Sequence, residues 1–180
     1  MQFQFAPVGG SLPPGVDSTR AVAFGDVDGD GDLDLVAGNG AQNRLYRNDG
    51  TGAFTDETTI NMPVASEHTQ SIALGDVDGD GDVDIVCGNE CGQNRLYLNN
   101  GTGVFQDVTA ARMPSATDFT NCVALGDVDE DGDLDMVCAN GSDWSCAGDQ
   151  NRLYLNDGGG IFTDATMQLP VDSQWTKSVA

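Results

Sequence analysis

The sequence predicts an all-β fold built from three copies of one unit of about fifty residues. Short runs rich in Val, Ile, Leu, Phe and Tyr alternate with clusters of Gly, Asn and Asp, a pattern typical of strands and turns. No long stretch carries apolar residues at the spacing of an amphipathic helix, and Gly accounts for 24 of the 180 residues. An Asp-rich stretch recurs with Asp26, Asp76 and Asp127 at equivalent positions, and fixed periods of this length indicate a repeat architecture.

Each repeat predicts four strands, named a to d in chain order. Strand a precedes the Asp-rich loop, strand b follows it, strand c is an Asn-Arg-Leu-Tyr run, and strand d starts at a Phe after a Gly-rich turn. Strand a covers residues 21–24, 72–74 and 123–125, strand b covers 33–37, 83–87 and 134–138, strand c starts at Asn43, Asn94 and Asn151, and strand d starts at Phe54, Phe105 and Phe162. Four short antiparallel strands in about fifty residues is the size of a β-propeller blade.

The repeats divide the whole chain, residues 1–180, which we interpret as one propeller-type domain. Repeats one, two and three cover residues 19–68, 69–119 and 120–175, with strand d of a preceding repeat and its connection in residues 1–18 and strand a of a fourth repeat in residues 176–180. Propellers typically close with about 4–8 blades. We therefore expect an incomplete ring, either part of a longer chain or completed by oligomerisation, for which a dimer is the simplest assembly.

The charge is strongly acidic but local. Seven Lys and Arg stand against 29 Asp and Glu, which gives a net charge of −22, and most of the excess lies in the three Asp-rich loops. A nucleic-acid partner is not expected, since it requires a basic surface. Membrane insertion is not expected either, because no run of about 18 apolar residues occurs. The first residues, MQFQFAPVGG, also lack the basic and apolar regions of a signal peptide.

The Asp-rich loops need a compensating cation. Loop one (residues 25–34), loop two (75–84) and loop three (126–135) each place five Asp within nine residues. Two unit charges about 4 Å apart repel by about 4 kcal/mol at an effective dielectric constant of about 20. Carboxylates at loop positions 1, 3, 5 and 9, with Gly at position 6, suit an oxygen-preferring ion such as Ca²⁺. A solvated acidic turn without an ion is the alternative.

Several motifs resemble the FG-GAP/VCBS repeat family, the calcium-binding repeats of integrin α-subunit propellers and of many bacterial secreted proteins. The resemblance rests on Phe24-Gly25, on DVDGDGDLD, on VAGN at residues 36–39 and on NRLYLN followed by Asn or Asp and Gly, and it extends over nearly the whole chain. It implies a β-propeller with one Ca²⁺ in each loop between strands a and b, hence about three ions. It does not fix the function, because the family serves adhesion, sugar binding and scaffolding and accompanies some enzymes.

The resemblance and the loop spacing assign metal ligands by position. The expected ligand residues are Asp26, Asp28, Asp30, Asp32 and Asp34 in loop one, Asp76, Asp78, Asp80, Asp82 and Asp84 in loop two, and Asp127, Asp129, Asp131, Asp133 and Asp135 in loop three. The position-7 residues Asp32, Asp82 and Asp133 are expected to bind through their carbonyl groups. Leu33, Val83 and Leu134, at position 8, are expected to point into the core. Glu130 replaces a Gly at position 4, where we expect ion binding to survive.

The five cysteines suggest two local disulfides. Cys87 and Cys138 end strand b in repeats two and three, and each is followed closely by another cysteine, Cys91 and Cys146, whereas repeat one lacks both. Because the two cysteines of a pair are either both present or both absent in a repeat, we predict the disulfides Cys87–Cys91 and Cys138–Cys146. Buried free thiols are the alternative. Cys122, in strand a, is expected to be a small buried thiol.

The sequence predicts a binding module and no enzyme. His68 is the only histidine, and no nucleophile elbow, phosphate-binding loop or dinucleotide motif occurs. Trp144, in the long b–c connection of repeat three, is either a ligand-stacking residue or a packing residue. The predicted function is a calcium-binding module for adhesion or for recognition of a protein or glycan, outside the cytoplasm, with structural ions. The alternatives are a non-binding structural part of a larger secreted protein and an accessory domain of a carbohydrate-active enzyme.

Overall fold

A computed structural model describes residues 12–13, 17–141, 150–171 and 175–179. Each repeat contributes four strands and ends in a single helical turn. The strands are β1 (Thr19–Gly25), β2 (Asp34–Asn39), β3 (Arg44–Asn48), β4 (Phe54–Asp56), β5 (Thr69–Gly75), β6 (Asp84–Gly92), β7 (Arg95–Asn99), β8 (Phe105–Asp107), β9 (Asp118–Gly126), β10 (Asp135–Asn140), β11 (Arg152–Asn156) and β12 (Phe162–Asp164). The turns are α1 (Thr58–Asn61), α2 (Thr109–Arg112) and a 3₁₀ turn at Thr166–Gln168.

The strand order confirms the predicted all-β class and the four-stranded repeats. Repeat one forms an antiparallel sheet in the order β1-β2-β3-β4, and repeats two and three repeat this pattern. The end of β6 also pairs with the start of β9, through Glu90 opposite Phe119, so the sheets of repeats two and three are continuous. Since the described helices are single turns, none of them could cross a bilayer. The repeat boundaries stay a prediction.

The hydrophobic cores lie between neighbouring repeats. Side chains alternate along a strand, so Ile85 and Cys87 of β6 face repeat one, where they pack with Val36, while Val86 faces repeat three and packs with Met136. Both faces of β6 are therefore covered, and β2 is buried along its whole length. A repeat of this kind is stabilised mainly by its neighbours, as in other repeat proteins.

The predicted core position of the position-8 residues is confirmed in repeats two and three but not in repeat one. Val83 and Leu134 pack against the hydrophobic cores between repeats, as predicted, and they also contact the strand-a glycines of the preceding repeats, Gly25 and Gly75. Leu33, which has no preceding repeat within the described residues, is 57% exposed, so its predicted core position is wrong. The side chains at this position contact the preceding repeat, and the hydrophobic pattern of a single repeat does not reveal that partner.

The two predicted local disulfides are also wrong. Cys87 and Cys138 are free thiols, fully buried in the cores between repeats. Each sulfur lies 3.3–3.4 Å from a side-chain amide nitrogen of the preceding repeat, Asn43 for Cys87 and Asn94 for Cys138. Burial raises the pKa of both thiols to about 12, and the cysteines serve as small apolar residues. Cys122 is a partly buried free thiol, and Cys146 and Trp144 lie outside the described residues.

The strand-c arginines form ion pairs with an acidic residue just before strand a or at its start. Arg44 donates hydrogen bonds of 3.0 and 3.2 Å to the carboxylate of Asp17, just before β1. Arg95 pairs in the same way with Glu67, and Arg152 with Asp118. The repeated Asn-Arg-Leu-Tyr run thus supplies an amide to the next repeat and a guanidinium to the entry of strand a, which explains why polar and apolar residues recur together there.

Candidate metal centre

Each Asp-rich loop joins the first two strands of its repeat and gathers three carboxylates at loop positions 1, 3 and 9. One oxygen of each carboxylate lies within 4.8 Å of the others. The three groups are Asp26, Asp28 and Asp34; Asp76, Asp78 and Asp84; and Asp127, Asp129 and Asp135. The same three positions are used each time, so the fold brings together nine of the fifteen predicted ligand residues.

The position-1 carboxylate sits inside a tight wrap of backbone. The carboxylate of Asp26 accepts hydrogen bonds of 2.8 to 3.1 Å from the backbone N–H groups of Gly29, Asp30 and Gly31. The position-6 glycines turn the chain with positive φ angles of 92°, 95° and 99°, a conformation that favours glycine. This part of the expected loop geometry is confirmed.

The position-9 carboxylate is buried and anchors the loop to strand c. In loop one, Asp34 accepts a 3.1 Å bond from the N–H of Val27 and a 2.8 Å bond from the N–H of Asn48. Asp84 and Asp135 make the matching pairs of bonds in the other loops. Burial raises the pKa of Asp34 and raises that of Asp84 to about 6, because the ionised form loses its hydration.

The carboxylates at positions 5 and 7 lie outside these groups. At position 5, Asp30 accepts a 2.9 Å bond from the N–H of Asp32, and Asp80 and Asp131 do the same in their loops. At position 7, Asp32 turns its carboxylate towards Gly50 in the c–d hairpin. A Cβ atom at Gly50 would lie 2.3 Å from Asp32 Oδ2, and Gly101 and Gly158 have equally close contacts with Asp82 and Asp133. The hairpin glycine therefore makes room for the acidic loop.

The position-3 carboxylates meet two arginines that the sequence analysis did not single out. Arg47 Nη2 lies 2.7 Å from Asp28 Oδ2, and Arg112 Nη1 lies 3.6 Å from Asp78 Oδ2. The second oxygen of Asp78, Oδ1, is buried without a hydrogen-bond partner. Burial, followed by repulsion from Asp80, raises the pKa of Asp78. The sequence did offer one signal for such a contact. Arg47 is a charged residue at the position where repeats two and three have leucine.

Loop three is more open than loops one and two. Val27 and Val77 are 1% and 2% exposed beneath the following repeat, whereas the equivalent Val128 is 50% exposed. A cavity of about 360 Å³ lies beside it, lined by apolar residues that include Leu125, Val137 and Val179. Glu130 adopts a φ of 64°, close to the 73° and 75° of the glycines at the same position, so the loop keeps its shape at the cost of strain.

Comparisons with known proteins agree with this arrangement of repeats. The family model described as "FG-GAP-like repeat" matches residues 26–87 and 76–138, which together span more than half of the 180 residues. No curated protein sequence matches the chain.

Several solved chains are similar in fold, and one of them shows the extent of the likeness. It is a lectin of Agrocybe aegerita, described as specifically recognising non-reducing terminal N-acetylglucosamine. The likeness has a TM-score of 0.52 and 23% sequence identity, and it covers 79% of this chain and 36% of the lectin chain. This chain therefore matches only about a third of the lectin, and the likeness concerns the fold. With the predicted resemblance confirmed by the family model, the chain belongs to the FG-GAP-like repeat family.

Proposed function

We propose that the chain is a calcium-binding repeat module whose ions hold the loops between the first two strands of each repeat. The observation that supports this most strongly is the threefold recurrence of carboxylates at loop positions 1, 3 and 9, with oxygens within 4.8 Å of one another. Asp26, Asp28 and Asp34 would hold the ion of loop one, and the equivalent residues those of loops two and three. The remaining expected ligands at positions 5 and 7 belong to the same proposal.

The donor chemistry fits a hard divalent cation. The three groups consist of carboxylate oxygens alone, without histidine or cysteine, and oxygen donors are the ligands that Ca²⁺ prefers. The buried Asp78 Oδ1, which has no hydrogen-bond partner, fits an ion especially well. An unpartnered, buried carboxylate oxygen is costly, and a cation in the loop would remove that cost.

The ions would act on stability. Each would neutralise carboxylates that otherwise repel, and it would tie the entry of strand b to strand c through the position-9 Asp. An ion at 100 times its dissociation constant stabilises a folded protein by about 2.7 kcal/mol. Three independent sites would contribute roughly three times as much, comparable to the whole stability of an ordinary domain.

Thermal unfolding with and without a chelator tests this proposal. We expect excess EGTA to lower Tm substantially and added Ca²⁺ to restore it, while Mg²⁺ restores less because it requires a stricter octahedral geometry. The matched control is a variant with Asn at positions 1 and 9 of all three loops, whose Tm should no longer respond to Ca²⁺. An EGTA-insensitive Tm in the unmodified chain would contradict the proposal.

We further propose that the module recognises a protein or glycan outside the cytoplasm and has no catalytic activity of its own. Membership of the FG-GAP-like repeat family and the fold-level likeness to a glycan-recognising lectin support this reading. A glycan array tests the proposed recognition. It is screened with the calcium-loaded chain and, as a control, with the variant that has Asn at positions 1 and 9 of all three loops. Calcium-dependent binding of a glycan would support recognition, whereas an array without binding would favour a protein ligand or a purely structural module.

A further inference from the structure

We propose that Arg47 and Arg112 are positioning residues that couple ion binding in loops one and two to the packing of the following repeat. The proposal rests on the calcium-binding function proposed above and adds a role for two residues outside the loops. Its consequence is that the ions in loops one and two stabilise the contacts between repeats as well as the loops themselves.

One terminal nitrogen of Arg47 joins loop one to repeat two. Arg47 Nη2 lies 2.7 Å from Asp28 Oδ2 and donates a 2.8 Å hydrogen bond to the carbonyl oxygen of Thr102, in the c–d hairpin of repeat two. Nη1 lies 3.3 Å from Glu57 Oε2, which holds the guanidinium from its other side. The side chain is mostly buried, so these contacts are only partly screened by water.

Arg112 makes the same connection from a different element. It is the last residue of α2, whereas Arg47 lies on β3. Its Nη1 lies 3.6 Å from Asp78 Oδ2 in loop two and donates a hydrogen bond to the carbonyl oxygen of Gly159, in the hairpin of repeat three. Two arginines at non-equivalent positions thus join the same two partners, a position-3 carboxylate and the hairpin of the next repeat. Simple repetition of the sequence does not produce this agreement.

The hairpins are shaped to receive these contacts. A Cβ atom at Gly103 would lie 2.7 Å from Arg47 Nη2, and one at Gly160 would lie 3.0 Å from Arg112 Nη1, whereas Gly52 in the first hairpin has nothing within 4 Å. Asn99 also donates a 2.7 Å bond to the carbonyl oxygen of Val27 in loop one. Asn156 makes the same bond to Val77 in loop two. We call each arginine, with the hairpin that it holds on the preceding loop, a clasp.

The clasp orients the position-3 carboxylate. In loop two, Arg112 faces Oδ2 of Asp78, while Oδ1 is buried and free to bind an ion. If the clasp holds the carboxylate in this orientation, it favours ion binding, and by thermodynamic reciprocity the ion favours the clasp by the same factor. Simple repulsion between the guanidinium and the ion would have the opposite sign. The two roles therefore predict opposite effects when the arginine is removed.

Calcium titration of a chain with one competent loop separates these roles. Asp76→Asn and Asp127→Asn disable loops two and three, and Arg47→Met is then added. We expect the affinity of loop one for Ca²⁺ to fall about fivefold or more, and Arg47→Lys to recover part of the loss, since an ammonium group keeps the charge and can donate to more than one acceptor. Arg20→Met is the matched control, because it removes the same charge from repeat one at a residue bonded to Glu90. Unchanged or tighter binding by Arg47→Met would overturn the proposal.

Hydrogen exchange gives a second readout that does not depend on the disabled loops. In the otherwise unmodified chain at saturating Ca²⁺, Arg47→Met should speed exchange of the amides of residues 102–104 and leave the repeat-three hairpin, held by Arg112, unaffected. If Arg47→Met changed the exchange rates of both hairpins by the same factor, the coupling would be overturned. If the unmodified chain binds no Ca²⁺ at all, the proposed function fails. If it binds Ca²⁺ but the hairpin of repeat two is insensitive to Arg47, only the coupling fails.

Discussion

Loops one and two differ from loop three in what covers them, although all three share one sequence pattern. The hairpin of the next repeat lies on loops one and two, where Asn99 and Asn156 bind loop carbonyl groups. Loop three carries no such cover within the described residues, and its Val128 is half exposed. The comparison shows that the neighbouring repeat is a partner of the acidic loops one and two, beside the ion that we propose for each loop.

The largest expected effect concerns the buried position-9 carboxylates. Asp84→Ala leaves the N–H groups of Val77 and Asn99 without their acceptor beneath the clasp, which should cost about 2–4 kcal/mol. Asp135→Ala should lower the free energy of unfolding by about 1 kcal/mol less, because Val128 is half exposed and water can replace the lost acceptor of its N–H group. Urea unfolding of both variants in EGTA, where no ion contributes, measures the difference. Equal losses would mean that the cover over loop two does not affect its stability.

Substitutions at the hairpin glycines give the next largest effect. Gly52→Ala and Gly103→Ala both place alanine at a positive φ, 85° and 74°, which is unfavourable in each case. Only the Cβ atom at residue 103 would also collide with Arg47. We therefore expect Gly103→Ala to lower the free energy of unfolding by about 1–2 kcal/mol more than Gly52→Ala. Equal losses would show that Arg47 moves aside freely.

The hairpin asparagines sharpen the same comparison. Asn48 and Asn99 both bond to their own repeat, but only Asn99 also bonds to the preceding loop, through Val27. Asn99→Ala should therefore be about 1 kcal/mol more destabilising than Asn48→Ala. Chemical denaturation at fixed Ca²⁺ measures both variants, and a larger loss for Asn48→Ala would contradict the assigned contact.

The smallest expected effect lies in loop three itself. Glu130 has a φ of 64°, where loops one and two have glycine. Glu130→Gly should raise the free energy of unfolding by about 1 kcal/mol, because it relieves left-handed strain. It also removes one negative charge from the acidic loop. Gly29→Glu, the reverse change in loop one, is the matched variant, and it should destabilise by a similar amount.

The sequence was sufficient for features that repeat within a single unit. The strands, the Asp-rich loops and their position-6 glycines follow from local pattern and turn chemistry, and the structure agrees with them. The contacts between repeats were not predictable in this way. Leu33, Cys87 and Cys138 were misplaced because the partner of each position lies in a neighbouring repeat, or is lacking among the described residues. Arg47 and Arg112 were missed for a related reason, since they occupy non-equivalent positions that only the packed repeats bring to the same contact.

The most direct test of the calcium-binding account is a crystal structure of the chain grown with Ca²⁺, with anomalous diffraction locating the ions. We predict one ion in each of the three loops, about 2.3–2.6 Å from oxygens of the carboxylates at positions 1, 3 and 9. The arginines should remain on the position-3 carboxylates of loops one and two. Loops that lack anomalous density in a crystal containing millimolar Ca²⁺, or ions bound elsewhere, would contradict the account.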